Sequence, residues 1–146
     1  MRMLKKQKQK MFYSIPTGKV IPVYERDENG NVKYMNIDGE LVPIESGEYE
    51  PEYSEPVEFF NGISGQLSKS LIKAFGIDDS STYAQMDCLA KEYEFGKGSY
   101  IWKKTEVGYK DAEKNIVDVS TADYMIENVL DEGLNVWNYL LKRNLK

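Results

Sequence analysis

Two Asx-Gly dipeptides, Asn29-Gly30 and Asp38-Gly39, separate three short apolar runs: Val20 to Tyr24, Val32 to Ile37 and Leu41 to Ile44. A two-residue connection of this kind suits the type I′ turn, which needs positive φ at both central positions, so the region reads as consecutive antiparallel strands. Eleven tyrosines, five phenylalanines and two tryptophans supply side chains suited to a pleated, half-buried surface. Further strand-length runs lie at Pro56 to Ile63, Thr82 to Leu89 and Ser99 to Lys103, each bounded by Gly, Ser or charge. A chain of 146 residues has room for one ordinary domain, so a single mainly β domain is expected over residues 1–146.

Two segments depart from this pattern. From Ser64 to Gly76, Leu67, Leu71, Ile72 and Phe75 recur at helical spacing, with Ser64 as N-cap and Gly76 as a left-handed C-terminal residue, which predicts a short amphipathic helix. At the C-terminus Tyr124, Met125, Val129, Leu130, Val136, Trp137, Leu140 and Leu141 lie along a helical stripe, and Ser120 or Thr121 would cap it. Gly133 opposes one long helix. The competing reading is a hairpin of Tyr124 to Leu130 and Leu134 to Lys142 turning at Asp131 to Gly133.

Charge is unevenly spread within a net −5. Arg2, Lys5, Lys6, Lys8 and Lys10 make residues 1–10 basic, and Pro16, Gly18, Lys19 and Pro22 interrupt residues 11–24, so the apolar stretch of a signal peptide is absent. No run approaches the ~20 apolar residues of a membrane helix. The basic arm reads first as a solvated terminus leading into a strand and second as a phosphate contact. Between residues 25 and 55 ten acids face only Arg26 and Lys33, a local balance of −8. A solvated face is the first reading; an outer docking surface, or a passage along which DNA slides without sticking, is the second.

The residues for most hydrolytic chemistry are missing. Histidine is absent, which removes Ser-His-Asp and Cys-His triads and histidine zinc sites, and Cys88 stands alone, which removes disulfides and cysteine clusters. Asp27-Glu28-Asn29-Gly30 places its glycine fourth, where a calcium loop of the EF-hand type places it sixth. Gly62-Ile63-Ser64-Gly65 lacks the second glycine of a nucleophile elbow at Gln66, and Ser68 stands where a phosphate loop needs glycine before Lys69-Ser70. Glu48, Glu50 and Glu52 alternate at strand spacing, as paired carboxylates or a hard-cation site would, but next to Gly47 and Pro51 they read as an exposed acidic edge. Trp102 and Trp137 suit a buried aromatic core, with a sugar-stacking platform as the competing use. The expectation is no catalytic residue, no metal ligand, no cofactor and no enzymatic activity.

Several pieces, taken in order, resemble the small head-closure proteins (stoppers, or head-tail connectors) of long-tailed phages and prophages of Gram-positive bacteria. The opening MRMLKKQKQKMFYS resembles the family's basic start running into an aromatic strand. Tyr53 to Ser64, YSEPVEFFNGIS, resembles its Tyr-Ser-x-Pro-Val strand ending in an Asn-x-Ile-Ser turn. Phe75-Gly76-Ile77 with Asp78-Asp79 and the strand STYAQMDC resembles the next linker and strand; YIWKK at Tyr100 to Lys104, Ala122-Asp123-Tyr124 and Leu134-Asn135 resemble the later ones. The acidic stretch from Tyr24 to Glu52 is longer than the family's first connection, and residues 105–120 have no counterpart.

The resemblance implies a small β-barrel with a hairpin meander and one short helical insertion, and it selects the hairpin at the C-terminus. It implies a homo-oligomeric ring at the head-tail junction of the virion, assembled in the host cytoplasm, with portal and adaptor above, the tail terminator below, packaged double-stranded DNA in the channel, and no membrane. The connection over 62–81 would close the channel, with Gly62, Ser64, Gly65, Leu67, Lys69, Leu71, Lys73, Phe75, Gly76, Asp78 and Asp79 as plug candidates; a helix that merely covers the core is the competing use. Asp38, Glu40, Glu45, Glu48, Glu50 and Glu52 are the partner-docking candidates. The alternative function is a small β-sandwich module binding carbohydrate or protein through Trp102 and Trp137.

Overall fold

The computed structural model describes residues 9–78, 80–110, 114 and 116–144. In chain order it has strands β1 (Gln9–Ser14), β2 (Pro16–Tyr24), β3 (Tyr34–Ile37), β4 (Glu40–Pro43), β5 (Glu45–Tyr53) and β6 (Val57–Asn61), then helix α1 (Lys69–Phe75). Strands β7 (Tyr83–Leu89), β8 (Tyr100–Trp102), β9 (Gly108–Tyr109), β10 (Val117–Asp118), β11 (Tyr124–Leu130) and β12 (Val136–Arg143) come next. The fold is mainly β, with its largest sheet curled into a half-barrel and one short helix. No helix among the described residues is long and apolar enough to cross a membrane. Contacts divide the chain into two compact units: Pro16–Glu52, and the described residues before and after it.

The larger unit is built on a six-stranded sheet of order β6-β1-β8-β11-β12-β7. Period-two alternation sends Met11 and Tyr13, Phe59, Ala84 and Met86, Ile101, Tyr124 and Ile126, and Tyr139 and Leu141 to one face, where they form the main core. Phe95, from the β7–β8 connection, enters its centre: its ring lies 4.9 Å from Tyr13, 5.4 Å from Phe59, 5.0 Å from Tyr93 and 5.1 Å from Tyr139. The opposite face of β1 and β8 carries Phe12, Tyr100 and Trp102, and there Val117, Ala122, Val107, Tyr109 and Val119 build a second core. Residues after β8 that have no counterpart in the resemblance thus pack on this second face of the sheet.

Two joints hold the curl. Where β1 ends and β6 approaches, Ser14 Oγ donates to Ser54 O, the Ile15 N–H donates to Ser54 Oγ (3.0 Å), and the Ser54 N–H donates to Ile15 O (2.8 Å). At the two sheet edges, Asn61 Nδ2 reaches Asp87 O (3.3 Å) and Cys88 Sγ (3.1 Å), and Ser64 exchanges backbone hydrogen bonds with Gln85 (2.8 and 2.9 Å). Ser64 therefore bridges to β7 and does not cap the helix. The cap is Ser68, whose hydroxyl accepts from the Leu71 N–H (3.3 Å), so α1 starts at Lys69; Gly76 ends it at φ 60° as expected.

The C-terminal segment is a hairpin, β11 paired with β12, with a register shift between Ile126 and Asn128. Its helical-looking stripe has two causes. Leu140 is buried although it faces away from Tyr139 and Leu141, and the register shift breaks the strict alternation of β11.

In the smaller unit β2 pairs with β5 and β3 with β4. The β3–β4 turn has φ 52° at Asp38 and 90° at Gly39, the type I′ geometry expected there. The other dipeptide differs: Gly30 has φ 83° but Asn29 does not have positive φ. The Asp27 carboxylate accepts from the N–H groups of Asn29 and Asn31 (both 2.9 Å) and holds a wider turn. Strand β5 runs through Pro51, which a two-stranded ribbon tolerates because each strand has one side without a neighbour.

Candidate functional site

Three surfaces can carry function. The first is the connection between β6 and β7. Gln85 and Leu140 are cross-strand partners facing away from the main core, and the Ser68 N–H donates to Gln85 Oε1 (2.7 Å), so the start of α1 sits over that outer face. Among the described plug candidates only Leu71 is fully buried; Gly62, Leu67 and Phe75 are half-buried, and Ser64, Gly65, Lys69, Lys73, Gly76 and Asp78 are exposed. Asp79 lies outside the described residues, as does the basic arm before Gln9.

The second is the smaller unit. Asp38, Glu40, Glu45 and Glu48 are exposed there; Glu50 is half-buried, and Glu52 accepts from Thr17 Oγ1 (2.8 Å). No three acids or cysteines among the described residues group as a metal cage. The β3–β4 hairpin also leaves apolar side chains in water on both faces: Tyr34 is 55% exposed, Leu41 71% and Ile37 48%.

The third surface was not legible in the sequence. Because β8, β11 and β12 are neighbours with antiparallel pairing, the end of β8, the start of β11 and the end of β12 meet. There Lys103, Lys104, Asp123, Tyr124, Arg143 and Asn144 line a concavity of about 220 Å³. Asp123 is committed to the backbone: it accepts from the N–H groups of Lys103 (2.8 Å), Lys104 (2.9 Å) and Thr105 (3.1 Å) and from Thr105 Oγ1 (2.7 Å). Burial opposes its ionisation, but these donors outweigh burial and hold the carboxyl well below the usual carboxylate range. Burial lowers the Lys103 ammonium, and the charges of Lys104 and Arg143 lower it further, against Asp123. The Arg143 guanidinium lies 5.9 Å from the centre of the Tyr124 ring. A Cβ on Gly65 would lie 3.2 Å from Arg143 Nη2, so the β6–β7 connection passes beside this pocket.

The two tryptophans do not form a shared platform. Trp102 is 1% exposed and donates through Nε1 to Thr121 Oγ1 (2.9 Å), while Trp137 packs on the main core and donates to Gly133 O (3.1 Å). No protein-family model matches the chain, and neither a curated protein nor a solved structure matches it.

Proposed function

We propose that the chain is a non-enzymatic ring subunit of the head-tail junction of a long-tailed phage, where it closes the DNA channel and docks the tail. The observation that carries this proposal is where the head-closure-like motifs fall. Ser54 of the Tyr-Ser-x-Pro-Val segment ties β1 to β6, Asn61 and Ser64 of the Asn-x-Ile-Ser turn bridge the sheet edges, and Asp123 of the Ala-Asp-Tyr segment pins the end of β8. Short motifs that each hold a separate joint of one half-barrel support kinship better than motifs scattered over a surface.

In this role the 62–81 connection faces the channel and the subunit meets portal and adaptor on one side and the tail terminator on the other. A subunit with a net charge of −5 holds phosphate only weakly, so packaged DNA slides past without sequence preference. The test is a phage lacking this chain. Its heads should fill with DNA, lose it to added nuclease and carry no tails, and purified protein added back should restore tail joining. Tailed particles that retain their DNA without the chain would overturn the proposal.

A further inference from the structure

We infer that the acidic smaller unit of one copy docks into the Lys103–Lys104–Arg143 pocket of the next copy, as the repeated contact of the ring. The inference rests on the ring proposed above and adds the contact that would build it. Charge complementarity selects the occupant. The smaller unit carries nine acids against Lys19, Arg26 and Lys33, a balance of −6 in a chain whose total is −5, so the remainder is close to neutral at +1, and the pocket brings together three cations from the ends of two strands and the residues after them. The carboxylate that lines it, Asp123, is already engaged by four donors from residues 103–105. An incoming carboxylate would relieve the mutual repulsion that Lys103, Lys104 and Arg143 impose on one another.

The smaller unit has a second reason to find a partner. A hairpin of two four-residue strands with Tyr34, Ile37 and Leu41 all about half exposed or more is marginal alone and gains by covering those side chains. The same unit carries exposed acids, Asp38 and Glu40 at the turn of this hairpin and Glu45 and Glu48 on β5. An apolar centre with a charged rim is the ordinary anatomy of a protein contact. The two surfaces differ in kind, so the contact is heterologous, and repetition around an axis gives a ring.

The test uses two variants of the full chain, Lys104→Glu/Arg143→Glu and Glu45→Lys/Glu48→Lys, each checked for native circular dichroism. Lys104→Glu alone, at an exposed position, replaces the first variant if Arg143 proves necessary for folding. Sedimentation at near-millimolar protein should show the native chain associating in about 20 mM salt and dissociating at least about tenfold more readily in about 500 mM. Each variant alone should stay monomeric, and the two mixed, each now matching the other, should pair. Variants that associate as the native chain does, or that fail to pair when mixed, overturn the inference. So does a pocket variant that loses only the binding of a short DNA duplex, because the pocket's anion is then phosphate. Pairing of the mixed variants while the native chain is absent from phage necks would sink the ring and leave the contact standing.

Discussion

The carboxylate of Asp123 does at one position what a longer loop would otherwise need several residues to do. By gathering the N–H groups of residues 103–105 it satisfies the backbone where β8 ends, and removing it leaves those donors without that acceptor. Asp123→Ala should cost about 1–2 kcal/mol, a figure reduced for solvent screening. Because the native carboxyl is depressed, its stabilisation is present above the ordinary carboxylate pKa and is lost as pH falls through the lower native value. The gap in denaturant midpoint between native and Asp123→Asn proteins should therefore be flat near neutrality and close below about pH 4. Tyr139 gives the opposite sign. Its ring is core, but its hydroxyl is buried without a hydrogen-bond partner among the described residues, and burial pushes its pKa up to about 12. Tyr139→Phe should leave stability unchanged or raise it by up to about 1 kcal/mol in urea unfolding; a loss of that size would mean the hydroxyl has a partner. Neither residue stood out in the sequence as a site, and Phe95, which touches four aromatic rings, sits in a charged stretch that resembles any surface loop.

Among elements, those set by local chemistry were legible and those set by tertiary covering were not. Asp38-Gly39 dictates its own turn, and the Leu71 stripe dictates a helix closed by Gly76. The true cap, Ser68, was obscured because Ser64 is equally suited by type, and only the pairing with Gln85 commits Ser64 to the sheet. For the C-terminus periodicity alone favoured a helix, since a strand buried on both faces loses the alternation that identifies it. The Lys103–Arg143 pocket had no signal at all, because strand adjacency and not spacing assembles it. Leu71, the one fully buried residue of α1, anchors the segment on the half-barrel. Leu71→Ala should cost about 2–4 kcal/mol in thermal or urea unfolding, whereas Lys73→Ala on the exposed side should fall within about 0.5 kcal/mol. A cost for Leu71→Ala as small as that of Lys73→Ala would show that α1 is detached in solution.

At the scale of the molecule, the chain has most of its large apolar side chains among the described residues committed to two cores and leaves several of the remainder together on the small β3–β4 hairpin. Sedimentation at micromolar concentration should therefore give a species near 16.8 kDa, with rings forming only on neck partners; a stable closed ring of the purified chain would contradict this. The proposed head-closure role is tested most directly by an electron cryo-microscopy reconstruction of an intact neck. Density for the half-barrel should repeat around the channel axis between portal-adaptor and tail, with the 62–81 connection turned toward the DNA and the smaller unit of each copy against the Lys103–Arg143 pocket of the next. A neck whose density at that level belongs to other chains would refute the head-closure role.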